Sequence, residues 1–389
     1  MTRLLTVRLL ALVTALALLL AACGSPADGG GTAATTAAST AAASTASDSQ
    51  MSAAPSPAAA SVATSSSATT AAGATADQGA CTPEAASQER PEPPILEIGT
   101  GNTGGVFFPY GGGIARVLTE KLPGAQVTAQ ETGGSVDNMK LINSDEADLG
   151  LSTVDSAYDA IKGQGAYADT GPIPACTLAV LYNSFVHVVA SEASGINSVE
   201  DMKGKTVSVG SAGSSTEGAA DRILEAAGLD PKADISRQNL SVNDSAAAMK
   251  DGKIDAFFWI GGLPTSAVTD LVTTGNVKVK FIPTAQYVAP MTEKYGPVYT
   301  EFALPAGTYP GFDQDIPGIG IGNILFNSAS MNEQLAYDIV KTMFDNLDDV
   351  QQSHPAAREL SLETAVQGSS IPFHPGAIRF YQEQGVWPQ

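Results

Sequence analysis

Three glycine-rich turns stand where a strand gives way to a helix: Gly99 to Gly105, Thr132-Gly133-Gly134-Ser135, and Gly210 to Glu217. Such turns expose main-chain N–H groups and aim a helix N-terminus outward, and both features attract an anion. Each turn alone has a plainer explanation, because glycines at strand ends often serve only turn geometry. Three turns facing one cleft favour binding, with a small carboxylate held by amides and dipoles from both sides. Several side chains nearby carry two readings. Asp155, in the first turn of a helix, either faces the cleft or does not. Glu217 is either a helix cap, in the pattern Ser214-x-x-Glu217, or a partner for a ligand ammonium. Phe107, Phe108 and Trp259 belong either to the core or to a surface that stacks on ligand. His187, on a long apolar strand, reads first as a satisfied core histidine and second as a ligand contact near a hinge.

Other chemistries fit less well. Gly99-x-Gly101-x-x-Gly104, with Glu131 near the end of the next strand, matches a dinucleotide fingerprint. It is set aside because the N-terminus reads as an export signal and nicotinamide cofactors are scarce outside the cell. No Gly-x-Ser-x-Gly elbow occurs, and His354 and His374 each precede a proline in segments that read as surface loops, so a hydrolase is disfavoured. No histidine lies at ligand spacing from a cysteine, so no metal and no cofactor is expected.

The elements that would position the turns follow from periodicity. Ile95 to Ile98 reads as a strand, followed by Ile114, Val117, Leu118 and Leu122 at helical spacing. Gln126 to Gln130 and Asp148 to Ser152 repeat the unit, each followed by a helical face. Tyr158 falls on the core side of its helix. Three successive strand–helix units imply a parallel sheet with crossover helices. Thr177 to Ala190 is a long apolar strand that crosses into a second lobe, where Thr206 to Val209 and Ile254 to Ile260 continue the pattern, with Pro264 in the first turn of the next helix. Pro305 to Gly322 reads as a Gly/Pro-rich segment, Ile324 to Phe326 as a returning strand, and Ser330-x-x-Glu333 as the start of a helix. The expectation is an α/β fold of two lobes joined by crossing strands, with lobe I over residues 91–180 and 318–389 and lobe II over residues 181–317.

Ahead of the folded part, Arg3 and Arg8 precede the apolar run Leu9 to Leu20, which ends at Ala21-Ala22-Cys23. Residues 1–23 read as a secretory signal with a lipobox, and Cys23 as the lipid-bearing residue. Residues 24–90 are mostly Ala, Ser, Thr, Gly and Pro and cannot bury enough apolar surface to fold. As a tether they reach on the order of 45 Å. Cys81 and Cys176 then remain as one pair in an oxidising compartment, read as a disulfide in preference to two free thiols. The net charge of −20, from 40 acids against 20 bases, excludes a nucleic-acid partner and a basic lipid-binding patch.

The stretches IGTGNTGGVFFPYGGGIARVL, ETGGSVDNMKLINSDEADLGLSTVDSAYDA, KGKTVSVGSAGSSTEGAADRILEAAGL, MKDGKIDAFFWIGGLPTSAV, PAGTYPG and IPFHPGAIRFY resemble the TAXI family of TRAP-transporter solute receptors, from Ile95 to Tyr381. The resemblance implies a periplasmic-binding-protein-like fold, type II-like, that closes on glutamate, glutamine or 2-oxoglutarate. It implies docking on a TRAP membrane subunit, often one fused chain, and no enzymatic activity; a monomer is expected. By motif the site would comprise Thr103, Gly104, Gly105, Phe108, Thr132, Gly133, Ser135, Asn138, Asp155, Ser214, Ser215, Thr216, Glu217 and the strand end Trp259 to Gly262, including Gly261. Phe107-Phe108 stands where relatives often carry Tyr-Tyr, which removes a phenolic hydrogen bond. The protein is thus expected outside the cytoplasm, lipid-anchored to the outer face of the membrane. A lipoprotein that senses ligand and biases a signalling partner is the alternative.

Overall fold

The computed structural model describes residues 80 to 388 apart from Gly275. The signal segment, Cys23 and most of the tether lie outside the described residues. No helix among the described residues is long and apolar enough to cross a membrane.

The first half of the chain alternates strand and helix as its periodicity requires: β1 (Ile95–Gly99), α1 (Phe107–Lys121), β2 (Gln126–Gln130), α2 (Ser135–Asn143), β3 (Leu149–Thr153) and α3 (Val154–Lys162). Tyr110, Ile114, Val117 and Leu118 form the buried stripe of α1, and each large aliphatic chain removed from water contributes about 1.5–3 kcal/mol. Then come β4 (Ala175–Ser191), β5 (Thr206–Ser208), α4 (Ser215–Ala226), β6 (Ser236–Gln238), α5 (Val242–Lys250), β7 (Ala256–Gly261), α6 (Ser266–Thr274) and β8 (Val279–Phe281). The chain ends with α7 (Val288–Tyr295), β9 (Thr300–Leu304), β10 (Ile316–Ser328), α8 (Glu333–Asp345), α9 (Leu347–Gln351) and α10 (Pro375–Glu383).

The strands join in the order β2-β1-β3-β10-β4-β7-β5-β6, with β8 on β4 and β9 on β10. Two parallel sets, β2-β1-β3 and β7-β5-β6, therefore flank an antiparallel pair. β10 joins the first set through β3, and β4 joins the second through β7. The first part of β4 pairs β10, and from Phe185 onward β4 pairs β7. This is the two-lobed open α/β fold expected from the sequence, with the crossing strands between the lobes.

Three local expectations differ from the structure. β10 starts at Ile316, inside the Gly/Pro-rich segment and ahead of the strand expected at Ile324, because its glycines make room for neighbours: a Cβ on Gly318 would lie 2.4 Å from the Phe185 ring. The helix near Ser330 opens at Glu333, capped by Asn332, whose Oδ1 accepts the Leu335 N–H at 3.0 Å. Asn caps as well as Ser does, and Ser330 is instead paired with Ser328 at 2.8 Å. Pro264 lies ahead of α6 rather than in its first turn.

Residues 80–90, read from composition as the end of the tether, pack on the folded body. Cys81 is bonded to Cys176 at the start of β4. The Ser87 N–H donates to Ser330 O at 2.8 Å, and Arg90 pairs with Asp338 on α8.

Candidate functional site

The carboxyl ends of β1, β2, β3, β5 and β7 converge, as the switch points of an open parallel sheet should. Between them lies a cavity of about 30 Å³. The turn after β1 contributes Gly101, Asn102, Gly105, Val106 and Phe107 at the head of α1. The turn after β2 contributes Gly133, Gly134 and Ser135 at the head of α2. Ser214, Ser215 and Thr216 open α4, while Thr153, Tyr182 and the β7 end Trp259-Ile260-Gly261 complete the wall. No lining residue is charged.

Three helix N-termini thus meet at one small space, each equivalent to roughly half a positive charge. The N–H groups of Phe107, Ser135, Ser215 and Thr216 find no acceptor among the described residues. Ser135 Oγ accepts the Thr153 N–H at 3.1 Å and lies 3.5 Å from Thr153 Oγ1, to which it can donate, whereas Thr216 Oγ1 accepts the Ile260 N–H at 3.3 Å and its hydrogen has no acceptor among the described residues. Ser215, 9 % exposed, has no side-chain partner among the described residues. Ser214 is spent as the cap of α4: its Oγ accepts the Glu217 N–H and donates to Ser211 O. The cavity is therefore rich in donors and lined on its other sides by Phe107, Tyr182 and Trp259.

The two lobes touch across this space. Gly213 O accepts the N–H groups of Val136 and Asp137, each at 3.1 Å, so the second lobe occupies two donors at the head of α2. Ser211 Oγ donates to Asn102 Oδ1 at 2.9 Å and Ser266 Oγ to Gly104 O at 3.2 Å. The Trp259 indole rests on Gly105, where a Cβ would lie 2.8 Å from Cη2. Nearby, Arg222 of α4 pairs with Asp159 of α3 and donates to the Tyr299 hydroxyl at 2.6 Å. That hydroxyl donates in turn to Asp155 Oδ2 at 3.2 Å.

Of the residues expected at the site, Gly105, Gly133, Ser135, Ser214, Ser215, Thr216, Trp259 and Gly261 line the cavity. The others lie elsewhere. Thr103 is exposed and its N–H donates to Glu131 Oε1, while Gly104 packs against Asn243. Phe108 does not reach the cavity, whereas its neighbour Phe107 does. Thr132 and Asn138 are internal ties: Asn138 Nδ2 donates to Thr100 O and Leu151 O, both at 2.7 Å, and its Oδ1 lies 2.7 Å from Thr132 Oγ1. Asp155 turns away to Thr153 Oγ1, Ser156 N and Tyr299, and burial raises its carboxyl pKa against the opposing pull of Arg222. Glu217 pairs with Arg237 and Asn239 at 2.8 and 2.9 Å. Gly262 faces Tyr182 and Ala356.

His187 is fully buried beside the Tyr309 hydroxyl, 2.8 Å from Nε2, and burial lowers its pKa to about 4. His374 is not a surface residue: it is fully buried, caps α10 through the Gly376 N–H, and burial lowers its pKa to about 4. A histidine before a helix-opening proline reads as a loop, although the same geometry suits an N-cap.

Sequence reasoning missed Asn102, Thr153 and Tyr182. Thr153 ends β3, so the strand-end rule applied to that strand would have found it. Nothing local marks Tyr182, which alternation within β4 places on the cavity side.

The structure is similar to the periplasmic aliphatic sulphonate binding protein of Escherichia coli, at 17% identity over 75% of this chain and 83% of that one, TM-score 0.40. It is similar to the alkanesulfonate-binding protein of Xanthomonas axonopodis pv. citri, at 19% identity over 75% and 85%, TM-score 0.40. It is also similar to a putative L-cystine ABC transporter protein of Listeria monocytogenes, at 14% identity over 69% and 98%, TM-score 0.42. Residues 98–385 match one family along nearly the whole described chain. The chain belongs to the NMT1-like family, a family of substrate-binding proteins and not of enzymes.

Proposed function

We propose that the protein is an extracytoplasmic solute receptor that closes on a small carboxylate and delivers it to the membrane subunit of a TRAP-type transporter, as a TAXI-type receptor held to the membrane through Cys23. Lobe I comprises residues 91–180 and 318–389, lobe II residues 181–317, and β4 and β10 carry the hinge. Glutamate, glutamine and 2-oxoglutarate are the ligands that the TAXI resemblance implies. The observation that carries the reading is the meeting of three helix N-termini, from both lobes, around one enclosed space. An anion there gains from all three dipoles, and only with the lobes together. With room for one or two waters, the cavity must widen for a larger guest, and parting of the lobes would allow it. Carboxylates added to the purified chain should raise its melting temperature by mass action, by several degrees at a hundredfold excess over Kd. No shift across a broad carboxylate panel would sink the reading.

A further inference from the structure

The chemistry of the cavity wall narrows the guest, on the reading of the cavity as a carboxylate site. We propose that, in place of the glutamate, glutamine or 2-oxoglutarate that the resemblance implies, the ligand is a small monocarboxylate with an uncharged, mainly apolar tail, and that the site discriminates against α-amino acids and dicarboxylates.

The argument is one of supply. Donors are abundant: the N–H groups of Ser135, Ser215 and Thr216, and the hydroxyl of Ser215, which has no partner among the described residues. One carboxylate head uses these. An ammonium needs an anion or several good acceptors, and a buried one left without them is strongly disfavoured. No carboxylate lines the wall. The nearest acids are committed elsewhere: Asp137 accepts the Gly133 N–H at 3.0 Å, Asp155 takes three donors behind Thr153, and Glu217 is held by Arg237 and Asn239. A second ligand carboxylate would equally lack a lysine or arginine. The remaining wall is made by Val106, Phe107, Tyr182, Trp259 and Ile260, beside Asn102, Thr153 and Ser214, whose polar atoms already have partners. Trp259 offers its ring rather than a donor, since its Nε1–H is given to Thr265 Oγ1 at 3.0 Å.

Titration calorimetry on the full chain tests this with pairs that differ in one group: 2-oxobutyrate against 2-aminobutyrate, and 2-oxobutyrate against 2-oxoglutarate and glutamate. The expected result is 2-oxobutyrate at least tenfold tighter than each of the other three. In Ser215→Ala, loss of one hydrogen bond should weaken 2-oxobutyrate about fivefold. If 2-aminobutyrate, glutamate or 2-oxoglutarate binds as tightly as 2-oxobutyrate, the inference is overturned while the carboxylate reading stands. If none of the four binds, the inference falls, and the broad carboxylate panel decides the carboxylate reading. The wild-type comparison decides the matter even where the variant does not fold.

Discussion

Arg222 of α4 and Asp159 of α3 form a buried ion pair that crosses between the lobes, with side chains 12 % and 9 % exposed. Burial disfavours the guanidinium charge, yet Tyr299, Asp155 and Asp159 outweigh it and raise its pKa. The pair is thus a latch between α3, which follows a strand of the β2-β1-β3 set, and α4, which follows a strand of the β7-β5-β6 set.

Removing one partner should loosen that latch. Breaking a buried pair costs about 3–5 kcal/mol when the other charge stays buried, because the orphaned group is left unsolvated. Arg222→Ala gives Asp159 an escape, since parting of the lobes returns it to water. The expected outcome is a larger radius of gyration by small-angle scattering without ligand, together with a lower melting temperature. An unchanged scattering profile would mean that the pair does not hold the lobes together.

Gly105 and Trp259 supply a second test. A methyl group on Gly105 meets the indole at 2.8 Å, so Gly105→Ala must displace Trp259 or keep the lobes apart. Binding of 2-oxobutyrate should weaken at least tenfold, with a stability loss of only about 1 kcal/mol, in the ordinary range for a single substitution. Trp259 fluorescence should shift on substitution.

Acid should destabilise the protein through its buried histidines. His187 and His374 have pKa values near 4 when folded, against 6.5 when unfolded, so the unfolded chain binds more protons in between. Their contribution is complete above pH 6.5 and is lost as pH falls towards 4, by up to about 3 kcal/mol for each. Asp155 acts in the opposite sense: its raised carboxyl favours the folded state at low pH, and that contribution fades as pH rises through the raised value. Urea unfolding at pH 7.5 and pH 5 should show the net loss. His374→Asn, which keeps a capping side chain, should remove roughly half of it.

The Cys81–Cys176 bond closes a loop of 95 residues. Chain entropy alone makes such a closure worth about 4.7 kcal/mol, typically 2–4 when measured. Cys81→Ser should lower the urea midpoint accordingly, and a loss below about 1 kcal/mol would mean that residues 80–90 are held by their hydrogen bonds and Arg90 instead.

The parts of the molecule legible in the sequence were those fixed locally. Ile114, Val117 and Leu118 announce α1 by spacing, and the glycine turns at the ends of β1, β2 and β5 announce the cavity because one segment contains both strand end and helix start. What escaped is set by distant partners. Asp155 sits in the first turn of its helix, as spacing placed it, but Arg222 and Tyr299, more than sixty residues away, decide which way its side chain turns. Arg237 does the same to Glu217, and β4–β10 pairing brings Tyr182 to the wall. The strand β10 was hidden by its own glycines, whose meaning becomes visible only beside Phe185 and Phe302.

Because Cys176 stands near the start of β4, before that strand reaches β7, the disulfide gives mechanical load a defined route. A pull on the chain ahead of residue 80 enters through Cys81 into the β3-β10-β4 side of the sheet and bypasses α4 and α5. The Arg222–Asp159 pair and the hydrogen bonds around the cavity lie off that route, so drag on the chain ahead of residue 80 is not transmitted directly through them.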